Sequence, residues 1–238
     1  MDACRSSWRI VHVDETESTN TLARSGSPGD VFTAGFQTAG RGRLDHVWVS
    51  GRGMNLTMSA VLDASGAEAQ EVATLPLAVG LAVAEALRPA AGPLSLKWPN
   101  DVLAGGQKIA GILCERRGDS IIAGIGVNVK ETVFPPEIAA RATSLALLGC
   151  DASVESVRDA VLSALGRVAA EWRAGGFAAI YPRIAAIDFL KGRIVSVRQG
   201  DRGEAEVSGV CGGIGRNGAL IVEGEPVWSG EAHVELGF

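Results

Sequence analysis

The amino-acid sequence changes character near residue 189, and this change constrains the fold more than any other feature. Before it, apolar strand-like runs alternate with longer helical segments. After about Lys191, short β-rich runs are separated by polar turns, at 194–197, 205–210, 219–222 and 233–236. Runs of this length and spacing are typical of a small β-barrel. The sequence therefore predicts an α+β chain with one domain at residues 1–189 and a second at 190–238.

The sequence of the first domain, residues 1–189, predicts a mixture of strands and helices around one core. Apolar runs predict strands at 10–13, 31–36, 55–62, 94–97, 109–115 and 120–129. Helical spacing predicts helices over 71–87, ending before Pro89, and over 154–173 and 177–187. The Gly105-Gly106 pair between two apolar runs predicts a β-hairpin turn. With 238 residues and an apolar fraction of 47%, the chain is long enough to bury a sizeable core.

Residues 35–43 read GFQTAGRGR and connect two of the predicted strands. Glycines allow a backbone to approach a ligand closely, and the guanidinium groups of Arg41 and Arg43 suit a carboxylate or a phosphate. The net charge of −5 argues against a broad basic face that binds nucleic acid, but it does not exclude a local anion-binding site. The segment predicts either a loop that folds over a small anionic ligand or a mobile surface loop with two solvated arginines.

A second motif, Lys97-Trp98-Pro99-Asn100-Asp101, places four different functional groups on a short corner. Pro99 fixes its own φ and disfavours helix at Trp98, so the corner is rigid. An ammonium suits phosphate, while a carboxylate and a carboxamide suit Mg²⁺ and a base edge or hydroxyl. The motif predicts a nucleotide site, and the alternative is a surface turn with a buried tryptophan.

Two further segments carry candidate groups. Lys108 opens an apolar strand, where a lysine binds a ligand or reaches solvent. Gly124 and Gly126 lie inside another predicted strand, and Asn128 follows them. Because glycine weakens a strand, glycines here indicate that a ligand or another part of the chain approaches the backbone closely. No GxxxxGK[ST] sequence is present, so the chain has no P-loop.

Together these motifs resemble those of biotin protein ligases, in the same order and spacing, at 18–20, 37–43, 97–101, 108–113, 124–128 and 226–231. The resemblance runs from about Ile10 to the end of the chain, and GRGR paired with KWPND is its most specific part. It implies a mixed-sheet, class II synthetase-like catalytic domain with a C-terminal SH3-like β-barrel. It also implies that ATP activates biotin to biotinyl-5′-AMP, from which biotin passes to a lysine of a biotin carboxyl carrier protein.

The resemblance implies roles for individual residues. The catalytic groups would be Arg43, Lys97 and Lys108, with Arg41 as the anchor of a lid. The biotin-binding residues would be Ser18, Thr19, Asn20, Gln37, Gly40, Arg41, Gly42, Arg43, Trp48, Lys108, Gly111 and Gly124. The nucleotide-binding residues would be Arg43, Lys97, Trp98, Asn100 and Asn128, and Asp101 would bind Mg²⁺.

One stretch departs from the family pattern. Several bacterial members continue with basic residues after GRGR, whereas this chain has Leu44-Asp45-His46. His46 is either a partial substitute for a further arginine contact to the adenylate or a solvated histidine. Trp48 keeps the aromatic position from which it would cover the ligand.

Other features bear on the class and location of the protein. The catalytic motifs begin close to the first residue, so we expect the monofunctional class without a DNA-binding domain. The four cysteines form no CxxC pair and no secretory signal precedes them, so we expect reduced thiols in the cytoplasm. The apolar stretch at 72–84 is too short to span a bilayer and predicts a core helix. The sequence leaves the oligomeric state open.

Two alternatives to a biotin ligase remain at this point. One is a lipoate- or octanoate-protein ligase, which would also modify a carrier lysine. The other is a non-catalytic protein that binds biotin or its adenylate. The second alternative predicts that the charged catalytic residues have been lost, yet the sequence retains Arg41, Arg43, Lys97, Asp101 and Lys108.

Overall fold

A computed structural model describes residues 8–44, 46–199 and 205–234. Its centre is a seven-stranded mixed sheet with the order β1-β2-β3-β7-β6-β5-β4. Strands β1 and β2 are parallel, and the other neighbours are antiparallel. The strands are β1 Arg9–Thr16, β2 Asp30–Gln37, β3 Leu56–Asp63, β4 Leu94–Lys97, β5 Asp101–Ala104, β6 Gln107–Arg117 and β7 Ser120–Val127. The strands predicted in this part of the sequence are therefore confirmed, with ends that shift by at most three residues.

Within the described residues five α-helices accompany the sheet: α1 Thr19–Leu22, α2 Ala69–Val72, α3 Leu75–Ala91, α4 Pro136–Ala139 and α5 Val154–Ala186. The helix predicted over 71–87 differs, because the chain bends between α2 and α3 and α3 continues past Pro89. The prediction that it ends before Pro89 is wrong. Pro89 lies in the last turn, so the helix loses one hydrogen bond there, and Gly92 N–H still caps the Arg88 carbonyl.

The long helix α5 is broken in the middle, as the two predicted helices require. Gly175 and Gly176 have non-helical dihedral angles, and Gly176 has φ 63°. The Glu71 carboxylate accepts a hydrogen bond from Phe177 N–H at 2.9 Å and so caps the second half. The prediction of two helices in this stretch is confirmed.

Helices α3 and α5 cover one face of the sheet, and their apolar side chains form the main core with strands β3, β6 and β7. The segment Ala69–Ala91 has the length and apolar composition to cross a membrane, but most of its apolar window is buried inside the fold. Its burial between the sheet and α5 agrees with the prediction of a core helix.

The hairpin between β5 and β6 sets the register of the strands beside it. Gly105 and Gly106 have φ values of 56° and 86°, the left-handed conformation that a two-residue primed turn demands. This confirms the predicted turn. Further along, the register shifts between Val102 and Leu103, so that Ile109 is an extra residue on β6.

A second, antiparallel sheet of five strands follows α5, with the order β11-β10-β9-β8-β12. Its strands are β8 Ile194–Gln199, β9 Ala205–Ile214, β10 Leu220–Val222, β11 Glu225–Val227 and β12 Glu231–Val234. This small sheet is consistent with an SH3-like domain. The strand predicted at 233–236 begins earlier than expected, and its residues 235 and 236 lie outside the described part of the chain.

The chain between the two sheets pairs with strand β4. Leu96 N–H donates to the Ile187 carbonyl at 2.7 Å, and Phe189 N–H donates back to the Leu96 carbonyl at 2.8 Å. The Asp188 carboxylate accepts hydrogen bonds from Leu190 N–H at 2.9 Å and from Ile214 N–H at 2.7 Å. Burial raises the pKa of Asp188, and these N–H donors oppose that rise. The junction therefore ties the second sheet to the strand that leads into the KWPND corner.

Asp30 at the start of β2 generates a testable pH dependence. The Arg9 guanidinium donates to its carboxylate at 2.7 and 2.6 Å, and Ser27 N–H donates at 2.9 Å. These bonds lower the pKa of Asp30 to about 2. The stabilisation is present above the ordinary pKa of 3.8 and is lost as the pH falls towards 2. We expect Asp30→Asn to lower the urea midpoint at pH 6, and the deficit to shrink as the pH approaches 2.

A matched control uses Asp159, whose carboxylate is 62% exposed beside Arg158. Asp159→Asn should change the urea midpoint little at any pH, because exposed ion pairs contribute little. A deficit of Asp30→Asn that stays constant between pH 6 and pH 2 would contradict the role given to the Arg9–Asp30 pair.

Candidate active site

One row of cross-strand partners brings the main candidate groups to the same face of the sheet. Across β3, β7, β6, β5 and β4, the register pairs Thr57, Gly126, Gly111, Asp101 and Lys97 in turn. Direct partners in a sheet point to the same side. The two glycines therefore form an open floor in the middle of the row, and a carboxylate and an ammonium stand at one end.

Lys108 joins this face because of the bulge in β6. It lies three residues before Gly111, and in a regular strand residues three apart point to opposite faces. The extra residue Ile109 reverses the alternation. As a result Lys108 Nζ lies 2.6 Å from Asp101 Oδ1, an ion pair whose angle falls short of a directed hydrogen bond. Lys108 thus lies in the site and does not point away into solvent.

Arg43 and Lys97 add two more positive charges. Burial lowers the pKa of the Arg43 guanidinium and of the Lys97 ammonium, while the charges of Asp101 and Glu231 oppose this shift in both. Together with Lys108 these are three cations facing two carboxylates. The balance leaves positive charge for an anionic ligand, which would favour the charged form of each cation.

The KWPND corner has a fixed internal arrangement. Asn100 Nδ2 donates to the Ile112 carbonyl at 2.8 Å, while Asn100 Oδ1 faces Arg43 Nη1 at 3.5 Å. The indole of Trp98 is buried, and its Nε1 donates at 3.1 Å to the Gly218 carbonyl, in the turn between β9 and β10 of the second sheet. The predicted nucleotide residues Arg43, Lys97 and Asn100 are thus close together, whereas Trp98 is packed between the two sheets.

The short helix α1 lines another wall. Ser18, Thr19 and Asn20 are all buried, and Ser18 is the N-cap residue although its hydroxyl makes no capping bond. Gln37 Oε1 accepts hydrogen bonds from Thr19 N–H at 2.7 Å and from Thr19 Oγ1 at 3.2 Å. A Cβ atom on Gly124 would lie 2.3 Å from Asn20 Oδ1, so only glycine leaves room for this side chain. The structure therefore brings these predicted residues together.

The glycine loop is folded as a short hairpin across the mouth of the site. Trp48 N–H donates to the Gly40 carbonyl at 3.0 Å, Gly42 N–H donates to the His46 carbonyl at 2.6 Å, and Arg41 pairs with Val47. The Trp48 indole rests on the glycine floor, since a Cβ atom on Gly126 would lie 2.5 Å from its ring. The buried Nε1 of Trp48 has no partner within the described residues. Trp48 therefore covers the floor from the loop side, and its contact with the ligand stays a prediction.

The loop departs from the family pattern at residues that meet the second sheet. Residue 45 lies outside the described residues, whereas His46 is 67% exposed and its Nε2 lies 3.4 Å from Glu231 of β12. Arg43 Nη1 also donates to the Gly230 carbonyl at 3.3 Å. The second sheet thus holds the far end of the loop, and His46 faces a carboxylate.

Asp101 was predicted to bind a metal ion, and the structure gives it a neighbour that bears on this prediction. Lys108 Nζ already faces its carboxylate at 2.6 Å. Within the described residues there is no group of three or more His, Cys, Asp or Glu that could form a protein cage for a metal. Mg²⁺, however, needs only one or two carboxylates when substrate phosphates supply the remaining ligands. Asp101 can provide one such ligand, and its assignment stays a prediction.

Asn128, predicted to bind the nucleotide, has a partner within the protein. Its Nδ2 donates to the Thr143 carbonyl at 2.9 Å, and its backbone N–H donates to the Ile109 carbonyl at 2.9 Å. The first bond holds the chain after β7 against the segment that follows α4, and the second holds it against β6. The nucleotide role of Asn128 stays a prediction, and its amide nitrogen has a structural role.

Two cavities lie at different places in the fold. One of about 230 Å³ lies between β3 and α5 and is lined by Trp8, Leu62 and Trp172. The other, of about 130 Å³, adjoins Arg43, Asn100 and Trp228. We place the site at the glycine floor, because Asp101, Lys97 and Lys108 converge there. The smaller cavity shares Arg43 and Asn100 with this site.

Sequence reasoning missed three residues that the structure brings to the site. Ser59 is fully buried in β3, where its hydroxyl lies 2.6 Å from Asn20 Oδ1 and 2.7 Å from Thr19 Oγ1. Glu115 accepts hydrogen bonds from Asn20 and Arg41, and Glu231 faces the loop. A serine within the apolar run LTMSAVL and a glutamate ending ILCE are the signals that could have pointed to the first two.

Comparison with known proteins gives a consistent set of relatives. Residues 13–130 match the model of the biotin/lipoate A/B protein ligase family. The chain is 35% identical over 230 residues to the biotin–[acetyl-CoA-carboxylase] ligase of Paracoccus denitrificans, covering 88% of this chain and 92% of that protein. It is 41% identical over 155 residues to the Mycobacterium tuberculosis ligase of the same name, covering 60% of this chain but only 58% of that relative.

A solved structure is similar over almost the full length. The biotin protein ligase of Aquifex aeolicus, in complex with biotin and ATP, superimposes with a TM-score of 0.84 at 31% identity. The match covers 96% of this chain and 99% of that one. The similarity includes both the mixed sheet and the small C-terminal sheet.

The close contact between Gly124 and Asn20 generates a prediction about stability. A methyl group at position 124 would overlap Asn20 Oδ1, so we expect Gly124→Ala to lower the free energy of unfolding by about 1–3 kcal/mol. In a chain that also carries Asn20→Ala, the methyl group gains room. The two changes should then destabilise less together than the sum of their separate effects, as measured by urea unfolding. Strict additivity would contradict the contact.

Proposed function

Because this chain belongs to the biotin/lipoate A/B protein ligase family, we propose that it activates biotin with ATP to biotinyl-5′-AMP. We propose further that it transfers biotin to a lysine of a biotin carboxyl carrier protein. A relative that matches 88% of this chain is named as a biotin–[acetyl-CoA-carboxylase] ligase, which supports this substrate and this acceptor. The catalytic domain would carry the chemistry, and the small second sheet would close one side of the site.

The observation that carries the proposal is the row of residues across the central sheet. Gly126 and Gly111 leave an open floor, and Asp101 and Lys97 continue the row. Lys108 and Arg43 converge on the same end. A long ligand with an apolar part and an anionic part fits a surface whose two ends differ in this way.

The wall at α1 suits the bicyclic head of biotin. The Thr19 and Ser59 hydroxyls and the Gln37 and Asn20 carboxamides provide several polar groups in a buried setting. Such groups can match the donors and acceptors of a ureido ring. Gly124 and Gly111 keep the walls thin, while Trp48 would cover the aliphatic tail from the loop.

In the first step the protein has to hold two anions together. A carboxylate oxygen of biotin would attack the α-phosphorus of ATP, and the bond to the bridging oxygen would break to release pyrophosphate. Arg43, Lys97 and Lys108 would offset the repulsion and stabilise the charge that develops on the phosphorus oxygens. Asn100 would orient Arg43 through its carboxamide oxygen.

In the second step the amine of the carrier lysine, in its uncharged form, would attack the acyl carbon of the anhydride. The carbon–oxygen bond to phosphate breaks, AMP leaves with the electron pair, and the amine loses a proton as the amide forms. Water would hydrolyse the same anhydride, so the intermediate must be covered until the carrier arrives. The hairpin that carries Arg41, Arg43 and Trp48 would provide this cover.

Magnesium would enter this scheme bound to the phosphates of ATP. Asp101 is the residue that would hold it, and the ion would supply charge neutralisation on the phosphate oxygens. The free thiols of Cys114, Cys150 and Cys211 are compatible with a reducing compartment, so we also propose the cytoplasm as its location.

The first test concerns Lys108. We expect Lys108→Ala to lower the rate of biotin-dependent pyrophosphate exchange by on the order of 10²–10³-fold, because a positioned charge is removed from the reacting phosphate. Lys191→Ala, at an exposed position beside the second sheet, serves as the control and should exchange like the parent. A normal rate of pyrophosphate exchange in Lys108→Ala would contradict the role given to this residue.

The second test concerns the acceptor and the acid. The parent protein, incubated with biotin, ATP, Mg²⁺ and a biotin carboxyl carrier domain, should add one biotin to the carrier, which mass spectrometry detects. A carrier whose acceptor lysine is replaced by arginine should remain unmodified. If lipoate or octanoate replaces biotin with equal or higher kcat/KM, the chain is a ligase of the alternative type and the proposal fails.

A further inference from the structure

Glu115 lies where the central sheet meets the glycine loop, and three side chains donate to it. It stands near the end of β6, with its carboxylate about three-quarters buried, at 25% exposure. Asn20 Nδ2 donates to Oε2 at 2.5 Å, and Arg41 Nη2 donates to the same oxygen at 3.1 Å. Arg24 Nη2 approaches the other oxygen at 3.4 Å. One carboxylate thus joins the loop, the pocket helix and the sheet.

Glu115 also ends a chain of polar contacts that begins at the other side of the loop. Gln37 precedes the loop and accepts hydrogen bonds from Thr19. The Ser59 hydroxyl lies between Thr19 and Asn20, and Asn20 donates to Glu115. Both the first residue of the loop region and its arginine are therefore tied to the same turn of α1. The wall that would hold biotin and the cover over the site share one network.

We infer that Glu115 is a positioning residue, the catch that holds the glycine loop closed by binding Arg41 and that links this closure to the biotin pocket through Asn20. This inference rests on the proposed function, since the closed loop would shelter biotinyl-5′-AMP. In this role Glu115 would act through Arg41 and Asn20 and not by touching a substrate. It acts by fixing Arg41 to the rigid sheet, while Arg43, held by Asn100 and Gly230, would face the reacting phosphate.

The size of the effect follows from the exposure of the pair. Arg41 is 41% exposed and Glu115 25% exposed, so solvent screens their attraction. Ion pairs of this kind change an equilibrium by about fivefold at most. The catch would therefore alter how long the loop stays closed, and it would leave the chemistry of adenylate formation unchanged.

The experiment compares Glu115→Gln with the parent. The amide keeps the volume and an acceptor oxygen for Asn20, but it removes the charge that binds Arg41. With labelled biotinyl-5′-AMP formed on the protein and chased by unlabelled biotin, we expect release to be about fivefold faster. The rate of pyrophosphate exchange at saturating biotin should stay within twofold of the parent. Added salt should speed release from the parent and have little effect on the variant.

Arg24→Ala is the matched control, because it removes the longer and more exposed contact to the same carboxylate. Its release rate should equal that of the parent. Arg41→Ala should release the adenylate faster, and adding Glu115→Gln to it should produce no further increase, since the pair is already broken. Additive effects of the two changes would overturn the inference.

A second measurement needs no ligand and separates this inference from the proposed function. Arg41 and Arg43 are trypsin sites within the loop, and cleavage there follows the population of the open loop. Glu115→Gln should be cut about fivefold faster at these sites than the parent and Arg24→Ala. Equal cleavage rates, or equal release rates, would overturn the role of Glu115. A parent that forms no adenylate would instead refute the proposed function, and the cleavage rates would still decide the role of Glu115.

Discussion

The site depends above all on the register of β5, β6 and β7. The left-handed turn at Gly105 and Gly106 starts the register, and the bulge at Ile109 changes it once. Only with both do Asp101, Gly111 and Gly126 form one row and does Lys108 point to the same side. A slip by one residue would exchange the two faces of a strand, so the glycine floor would be replaced by side chains that belong in the core. The pairing of the strands, more than any individual charge, therefore explains how these groups converge.

Much of the fold could be predicted from the sequence, because local patterns decide it. The hairpin glycines, the apolar strands and the two-part helix α5 all follow from turn chemistry and periodicity. The end of α3 could not be predicted, since packing against α5 stabilises a helix past Pro89. In the site, motifs identified the glycine loop and the KWPND corner, but the bulge that aims Lys108 depends on tertiary pairing. Ser59 and Glu115 were missed because their partners on α1 lie 39 and 95 residues away in the chain.

The small second sheet contributes to the site through its backbone more than through its side chains. The Gly218 carbonyl accepts a hydrogen bond from the Trp98 indole, and the Gly230 carbonyl accepts one from Arg43. Both carbonyls belong to glycines, with φ values of 84° and 138°, where a Cβ atom would lie 2.8 Å from the Thr74 side chain and 2.4 Å from the Arg198 carbonyl, so these contacts depend on glycine backbone and not on side chains. Glu231 is the exception, since its carboxylate faces His46 and lowers the net positive charge around Lys97.

The two arginines of the glycine loop are held by different parts of the molecule. Arg41 is bound by the central sheet at Glu115, and Arg43 reaches the second sheet at Gly230. The loop is therefore held on both sides of the junction between the two sheets, and how firmly it is held depends on the packing of that junction. At this junction Tyr181 donates to the Ile214 carbonyl and Asp188 accepts from Ile214 N–H. A change in the rigidity of the junction would therefore change the mobility of the loop at the mouth of the site. Substitutions at this junction would then change how long biotinyl-5′-AMP is sheltered, without altering any residue that binds it.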